Sequence, residues 1–275
     1  MDVSYGLLLK KSWQDLKQNP IAFLPILVYL LFIIGLTVLV ILEFGIFWSL
    51  GYKTFASFLQ SSLGIKFLGI LSFLIDFVIL AIMGFAVQGM NLGLFNAITT
   101  KKKATKSDMW LGMRKFTFLL LRYSIILLLV LFVPVAMLIG LTALIFAASK
   151  IAGIIVGVLL GIISVIYFIG LILISIFGLL FFTPIASTGK SNSAIALIKE
   201  TLRYSKNNLG HVFFTWLITF AISVVLSIPY YLSKLFPNVI QWVVGIVYYL
   251  VSLVIGVWLG LFLFNAYFNS KSKKL

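Results

Sequence analysis

Long apolar runs separated by short polar stretches dominate the hydropathy pattern of the chain. Six runs reach the length of about 20 residues that an α-helix needs to cross a ~30 Å hydrocarbon layer. The predicted spans are residues 21–45, 67–98, 116–148, 151–186, 212–233 and 239–268. Only Ser149 and Lys150 separate the third span from the fourth, which predicts a tight hairpin. The pattern predicts an all-α bundle of six transmembrane helices that forms one domain, residues 1–275.

Two segments of a different kind each precede an apolar run. They read YGLLLKKSWQDLKQNP at residues 5–20 and SAIALIKETLRYSKNNLGH at residues 193–211. When residue 9 is placed on residue 198, charges and helix breaks coincide. Lys10, Lys17 and Asn19 then fall on Lys199, Lys206 and Asn208. We therefore expect two short amphipathic helices of the same design.

Each of these helices presents an apolar stripe at 100° per residue. The stripes consist of Tyr5, Leu9, Trp13 and Leu16 in the first helix and Ala194, Ile198, Leu202 and Ser205 in the second. Such helices lie in the membrane interface, with the stripe among acyl chains and the lysines directed at phosphates. A third, degraded copy is expected at residues 107–116, with Ser107 or Asp108 as N-cap and Trp110 and Met113 facing lipid.

The ends of the even-numbered spans also resemble one another. The second and sixth spans end in LFNA, at residues 94–97 and 263–266, and the fourth ends in FFTP at residues 181–184. We interpret the chain as three repeats, residues 1–100, 101–186 and 187–275, each an interfacial helix followed by a hairpin. The alternative is that such short apolar strings match by chance.

Composition and charge place these elements in a membrane. With 63% hydrophobic and 10% charged residues and a mean hydropathy of +1.21, the chain differs from soluble globular proteins. The net charge of +15 comes from basic residues gathered beside the spans, which favours anionic lipid headgroups over nucleic acid as partner. On the side of the two termini lie 16 lysines and arginines, against Lys53, Lys66, Lys150 and Lys234 on the other. This bias predicts a plasma-membrane protein with both termini in the cytoplasm.

The titratable residues offer no catalytic constellation. Cysteine is absent, His211 is the only histidine, and the six acidic residues are scattered singly. We therefore expect no metal, no cofactor and no enzyme activity. An intramembrane lipid-modifying enzyme is disfavoured for the same reason. His211 is assigned a headgroup contact, together with Lys10, Lys17, Lys199, Arg203 and Lys206.

Asp76 lies deep in the second span, where a charged carboxylate is far from water and therefore costly. A carboxylate there should be protonated, paired or in contact with a wet cavity. With Gln88, Asn91 and Arg122 it forms a candidate ligand or proton path, in which Arg122 either pairs with Asp76 or snorkels to the nearer interface. The alternative is a structural, hydrogen-bonded Asp76.

Glycines spaced four residues apart indicate close packing between helices. They are Gly153, Gly157 and Gly161 in the fourth span and Gly256 and Gly260 in the sixth. The contacts are expected within the chain, or alternatively between subunits of a homo-oligomer.

The basic helix AIALIKETLRYSKNNLG, leading straight into a span and recurring in a six-helix chain, resembles a known membrane domain. This is the domain that precedes some bacterial glycerophosphodiester phosphodiesterases and is related to stand-alone prokaryotic membrane proteins of unknown function. The resemblance implies a six-helix membrane fold. It implies no catalytic residue, because no strand-alternating segment forms the phosphodiesterase barrel.

We therefore expect a non-catalytic membrane protein whose basic helices engage anionic headgroups, as a membrane-organising protein or a subunit of an assembly. The alternative is a small-solute or ion transporter with a midplane site near Asp76.

Overall fold

The computed structural model describes residues 4–49, 63–188 and 193–272, and within these ranges the chain is helical, with no strand. The elements, in chain order, are α1 (Tyr5–Gln18), a 3₁₀ turn (Pro20–Phe23), α2 (Leu24–Ser49), α3 (Leu63–Lys101), α4 (Lys106–Ala148), α5 (Lys150–Leu173), a π-helical turn (Ile174–Gly178), α6 (Phe182–Thr188), α7 (Ala194–Asn207), α8 (Leu209–Ser233) and α9 (Asn238–Ser272). Of the lysines in the charge count, Lys53, Lys190, Lys273 and Lys274 lie outside the described residues.

Six helices in the described ranges are long and apolar enough to cross a membrane, which confirms the predicted number. They belong to α2, α3, α4, α5, α8 and α9; α2 packs with α3, α4 with α5 and α8 with α9, and the most extensive contact joins α3 to α4. This architecture is compatible with a multi-pass integral membrane protein.

The start of α4 corrects the expected N-cap. The helix begins at Lys106, and its N-cap is Thr105 rather than Ser107 or Asp108. The Asp108 N–H donates to Thr105 Oγ1 (3.3 Å), and the Thr105 N–H donates to Asp108 Oδ2 (2.9 Å). This reciprocal capping box satisfies two backbone donors at the helix start. Residues 107–116 are consequently the first turns of the third spanning helix.

The fourth predicted span, residues 151–186, is interrupted in the structure. α5 ends at Leu173, and the chain passes through the π-helical turn before α6 begins at Phe182. α7 packs closely at this interruption, since a Cβ on Gly178 would lie 2.7 Å from Leu202 Cδ2. The Ser205 hydroxyl also donates to the Gly178 carbonyl at 2.9 Å. The prediction was wrong here because the sequence remains apolar through the break.

The core lies at one end of the bundle, where the ends of α3, α6 and α9 meet. Leu94, Phe181 and Phe264 are fully buried there, and the rings of Phe95 and Phe264 meet edge to face at 5.7 Å. We call this end the basal layer; it comprises α1, α6, α7, residues 86–120 and residues 257–267. Toward the opposite end, the spanning helices keep most of their large apolar side chains exposed, as lipid-facing surfaces require.

The tightest helix contact of the basal layer joins α3 to α4 through glycines. A Cβ on Gly112 would lie 2.5 Å from the Gly89 carbonyl oxygen and 2.6 Å from Gly93 Cα. The absence of side chains at these positions lets the two backbones touch. The small residues of the second span, Gly89 and Gly93 among them, are predicted from the sequence to form a helix–helix contact surface, whereas Gly112 was not among the predicted packing residues.

Candidate functional site

The outer surface of the basal layer is basic. Lys10 and Lys17 of α1 and Lys199, Arg203 and Lys206 of α7 are all exposed. The opposite face of each helix is buried against the protein, through Leu8, Ser12 and Leu16 in α1 and Leu197, Thr201 and Ser205 in α7. Each short helix therefore has one face fixed to the bundle and one face that carries cations.

The buried faces correct the predicted lipid-facing stripes. Leu16 and Ser205 belong to those stripes but are buried within the protein, whereas Trp13 remains 39% exposed. The stripe was misplaced because Ser12 and Thr201 count as polar in a hydropathy pattern. In the folded helices the Ser12 hydroxyl donates to the Leu8 carbonyl and the Thr201 hydroxyl to the Leu197 carbonyl, both at 2.7 Å. Satisfied in this way, a hydroxyl can be buried at low cost.

The bounds of α1 and α7 coincide in the register that places residue 9 on residue 198. That register puts the first residue, Tyr5, on Ala194 and the last, Gln18, on Asn207. Each helix is followed by an asparagine whose side-chain amide donates to the carbonyl four residues earlier, at 2.9 Å for Asn19 and 2.8 Å for Asn208. The two segments therefore end in the same way.

Polar contacts attach α1 to the rest of the basal layer. The Asn265 amide of α9 donates to Ser12 Oγ and to Asp15 Oδ2, both at 3.0 Å. Trp258 Nε1 donates to the Leu9 carbonyl at 3.2 Å. Asn19 is 4% exposed; its amide donates to the Lys102 carbonyl at 3.3 Å, and its oxygen accepts from the Ala104 N–H at 3.1 Å. These bonds hold α1 in one position relative to α9 and the α3–α4 loop.

α7 is attached mainly by aromatic packing. The Tyr204 ring meets Phe181 at 5.4 Å and Tyr267 at 5.3 Å, and its hydroxyl shares a short hydrogen bond with the Ser270 hydroxyl. Burial raises the pKa of Tyr204 to about 12, with the Ser270 hydrogen bond acting in the opposite direction. The phenol therefore stays neutral at physiological pH.

His211, which was expected to be a headgroup contact, takes part in internal packing. It is half-buried, and its ring stacks on Tyr5 at 5.8 Å and on Phe181 at 5.5 Å. Its Nδ1 lies 3.0 Å from the Tyr5 hydroxyl, which links α1 to the start of α8. Burial raises the pKa of Tyr5, so its hydroxyl keeps its proton for this contact.

Further exposed cations surround the two short helices. They are Lys11, Lys101, Lys102, Lys103, Lys106, Arg114, Lys115 and Lys271. The ion pair found among the described residues joins Lys101 Nζ to Asp108 Oδ1 at 3.0 Å. The ammonium of Lys17 lies 5.6 Å from the Trp13 ring centre, and that of Lys115 lies 5.1 Å from the Phe116 ring centre. Such stems rest on apolar surface while the charged heads reach outward.

Asp76 has a neighbour that the sequence analysis missed. It is half-buried on α3 beside the carboxyl group of Glu43 on α2, and Glu43 Oε2 accepts a hydrogen bond from the Ser72 hydroxyl at 2.7 Å. Both acids lie toward the same end of the first two spans, so the hairpin itself was the signal that could have paired them.

The other members of the predicted path lie apart from this acidic pair. No described hydrogen bond or ion pair links Asp76 to Gln88, Asn91 or Arg122. Gln88 and Arg122 are exposed. The buried side-chain oxygen of Asn91 has no hydrogen-bond partner among the described residues.

The five predicted packing glycines divide into two groups. Gly153, Gly157 and Gly260 face neighbours within the chain, since an added Cβ would meet Phe146, Thr142 and Phe95, respectively. Gly161 and Gly256 face open space, with nothing within 4 Å of such a Cβ. Intrachain packing thus explains three of the five.

The described residues contain no group of three or more histidine, aspartate or glutamate side chains placed to hold a metal ion. A comparison of the chain with protein-family models, with curated proteins and with solved structures finds no match.

Proposed function

We propose that this chain is a non-catalytic integral membrane protein whose basal layer binds anionic lipid headgroups in the cytoplasmic leaflet of the plasma membrane. The observation that carries the proposal is the two-faced attachment of α1 and α7. Each helix is docked on the bundle, and the lysines of both helices and Arg203 of α7 are exposed. Such a surface organises the surrounding lipids, and it serves equally in a homo-oligomer or a larger membrane assembly.

Electrostatics supports this use of the surface. A lysine or arginine close to an anionic leaflet contributes about 1 kcal/mol, and the attraction fades over a Debye length of about 8 Å at 0.15 M salt. The cations of α1 and α7 are carried by docked helices, so little backbone entropy is lost when headgroups bind. Binding should therefore be cooperative across several lysines and sensitive to salt.

The threefold repeat is part of the same proposal. In support of it, α1 packs on α9, the start of α4 packs on α3, and α7 packs beside α6 and the π-helical turn. Each repeat's interfacial segment would then cover the end of the preceding hairpin. α1, which has no preceding hairpin, would cover the end of the last one, α8 and α9. We also propose that the chain shares the six-helix fold of the membrane domain of bacterial glycerophosphodiester phosphodiesterases. This resemblance implies no catalytic role.

Quenching of tryptophan fluorescence by brominated lipids tests the lipid preference in reconstituted bilayers. Brominated phosphatidylglycerol is compared with brominated phosphatidylcholine for the wild type and for two triple variants. The test variant carries Lys17→Gln, Lys199→Gln and Lys206→Gln; the control carries Lys66→Gln, Lys150→Gln and Lys234→Gln. We expect the wild type to prefer phosphatidylglycerol. In the test variant this preference should fall by roughly fivefold for each cation removed beside the lipid, and in the control variant it should not fall.

Two results would contradict the proposal. One is an equal loss of preference in both triple variants, since the control removes the same charge away from the basal layer. The other is a preference that does not decline between 0.05 and about 0.5 M salt, because screening should weaken an electrostatic surface.

The transporter alternative is favoured by one observation, the contact between Asp76 and Glu43. Two adjacent carboxyl groups within spanning helices can bind a proton or a small cation. Proton flux into proteoliposomes is its test, with Asp76→Asn compared with the wild type. A flux that Asp76→Asn abolishes would favour transport, whereas no flux above that of empty liposomes, or a flux unchanged in Asp76→Asn, would remove the site from consideration.

A further inference from the structure

An open apolar groove lies beside the basic face of α7. Its volume is about 630 Å³, and it lies between the end of α5 with the π-helical turn, the second half of α7 and the first turns of α8. Leu173 and Phe177 form one wall, and Leu209 and Phe213 form another. The lining is almost entirely apolar, and it includes Lys206, whose side chain is exposed.

Two glycines, Gly178 and Gly210, are among the residues that line the groove. Gly210 lines it, and a Cβ at this position would meet nothing within 4 Å. In the register that relates α1 to α7, Leu202 corresponds to Trp13 and Gly210 to Ile21. Trp13 packs edge-on against Trp258 at 5.8 Å. The residues that correspond to Leu202 and Gly210 in this register are therefore larger, and Trp13 is engaged in packing within the chain.

We infer that this groove binds one acyl chain of an anionic phospholipid, with the phosphate held by Lys206. Apolar walls suit a hydrocarbon chain, and the volume lies in the range of about 300–1,000 Å³ typical of ligand sites. The charge of the Lys206 ammonium, at the margin of an otherwise apolar surface, complements that of a phosphodiester. Arg203 and Lys199 lie on the same exposed face of α7, and the positive end of the α8 dipole lies at the groove.

This assignment rests on the proposed function and deepens it, because it adds an individual lipid site to a general preference for anionic lipid. A free phosphate would need only the cationic end. The long apolar walls would then have no role, so the full lipid is the occupant that uses every part of the groove.

Trp216 provides a local reporter of occupancy. Its ring lies 4.8 Å from Phe177 and 6.2 Å from Phe213, two residues of the groove walls. The full chain in neutral detergent is titrated with brominated phosphatidylglycerol, brominated phosphatidylcholine or glycerol phosphate. The Trp216 contribution is the quenching in the wild type minus that in Trp216→Phe. We expect saturable quenching by phosphatidylglycerol at one lipid per chain, weaker quenching by phosphatidylcholine, and no protection by glycerol phosphate.

Two substitutions fill the groove without touching the cations. Gly210→Leu and Leu202→Phe should each weaken the phosphatidylglycerol titration at least tenfold. Gly256→Leu is the matched control, because an added Cβ there also meets nothing within 4 Å and the residue lies outside the groove. Lys206→Gln should remove the preference for phosphatidylglycerol while leaving the quenching by phosphatidylcholine.

Unchanged titrations in both groove-filling variants would overturn the inference, as would complete protection by glycerol phosphate, which would assign the site to a free phosphate ester. The proposed function, a general preference for anionic lipid, can be contradicted independently of the groove. If bilayers still prefer phosphatidylglycerol while Gly210→Leu and Leu202→Phe change nothing, only the groove is wrong. If the preference itself is absent, the proposed function is wrong as well.

Discussion

Gly112→Ala should separate α3 from α4 and destabilise the basal layer. The new Cβ would lie 2.5 Å from the Gly89 carbonyl oxygen and 2.6 Å from Gly93 Cα, whereas ordinary contacts begin at 3.4 Å. Relief requires the two backbones to part by about 1 Å, and a gap of that size removes roughly a quarter to a half of each dispersion contact. Overpacking of this kind costs about 1–3 kcal/mol.

Two further considerations set the net effect. Alanine gains up to about 1 kcal/mol over glycine in helix propensity, which partly offsets the loss. Lipid offers no hydrophobic force to hold the helices together, so the backbone contact carries much of their association. We therefore expect a net loss of about 1–2 kcal/mol in the free energy of unfolding.

The assay is unfolding of the purified protein in mild detergent, followed by heat and by titration with a denaturing detergent. Gly84→Ala is the matched control, since Gly84 lies on α3 and an added Cβ there meets nothing within 4 Å. It should leave stability unchanged or raise it slightly. The reasoning is refuted if Gly112→Ala is as stable as Gly84→Ala, because the close approach of α3 and α4 would then be absent.

Three further predictions use the same unfolding assay. Asn19→Ala should lower the free energy of unfolding by about 1–3 kcal/mol, because it leaves a buried loop N–H without a partner. Asn208→Ala loses one local hydrogen bond and should cost about 1 kcal/mol or less. Equal costs would contradict the tertiary role of Asn19. Because the pKa of Tyr204 is raised to about 12 from 10.0, the unfolded chain releases this proton first and stability should fall as pH rises from 10 to 12. Tyr204→Phe should reduce that fall, and an identical pH dependence in the variant would argue against burial. Gly153→Ala should destabilise the α4–α5 hairpin, since its Cβ would lie 2.5 Å from a neighbouring backbone atom, while Gly161→Ala should be neutral; the reverse order would refute the observed register.

The number of spans was predictable because hydropathy over 20 residues is a property of the local sequence. The break between α5 and α6 was not, since residues 174–181 are as apolar as their surroundings and the interruption depends on α7 docking at Gly178. Tertiary contact, rather than a local signal, decides where that helix ends. The N-cap of α4 was misassigned for a smaller reason, since Thr105, Ser107 and Asp108 all belong to the capping residue types.

The exposed cations were predictable, whereas their surroundings were only partly so. A helical wheel places Lys199 and Lys206 on one face whatever packs on the other. It could not reveal that Thr201 is buried, because the hydroxyl is satisfied by its own helix. The pairing of Asp76 with Glu43 could have been predicted by folding the first two spans into a hairpin, whereas the groove beside Lys206 depends on how α5, α7 and α8 meet, and a linear pattern holds no measure of those distances.

Most of the buried side chains lie at one end of the bundle, and this gives the molecule a way to adapt to bilayer thickness. Toward the other end, the spanning helices leave most of their large apolar side chains exposed, so a change in tilt there breaks few contacts. A mismatch between hydrocarbon depth and span length costs only fractions of a kcal/mol per Å. The three hairpins can lean to match a thinner or thicker membrane while the end that carries α1 and α7 keeps its form.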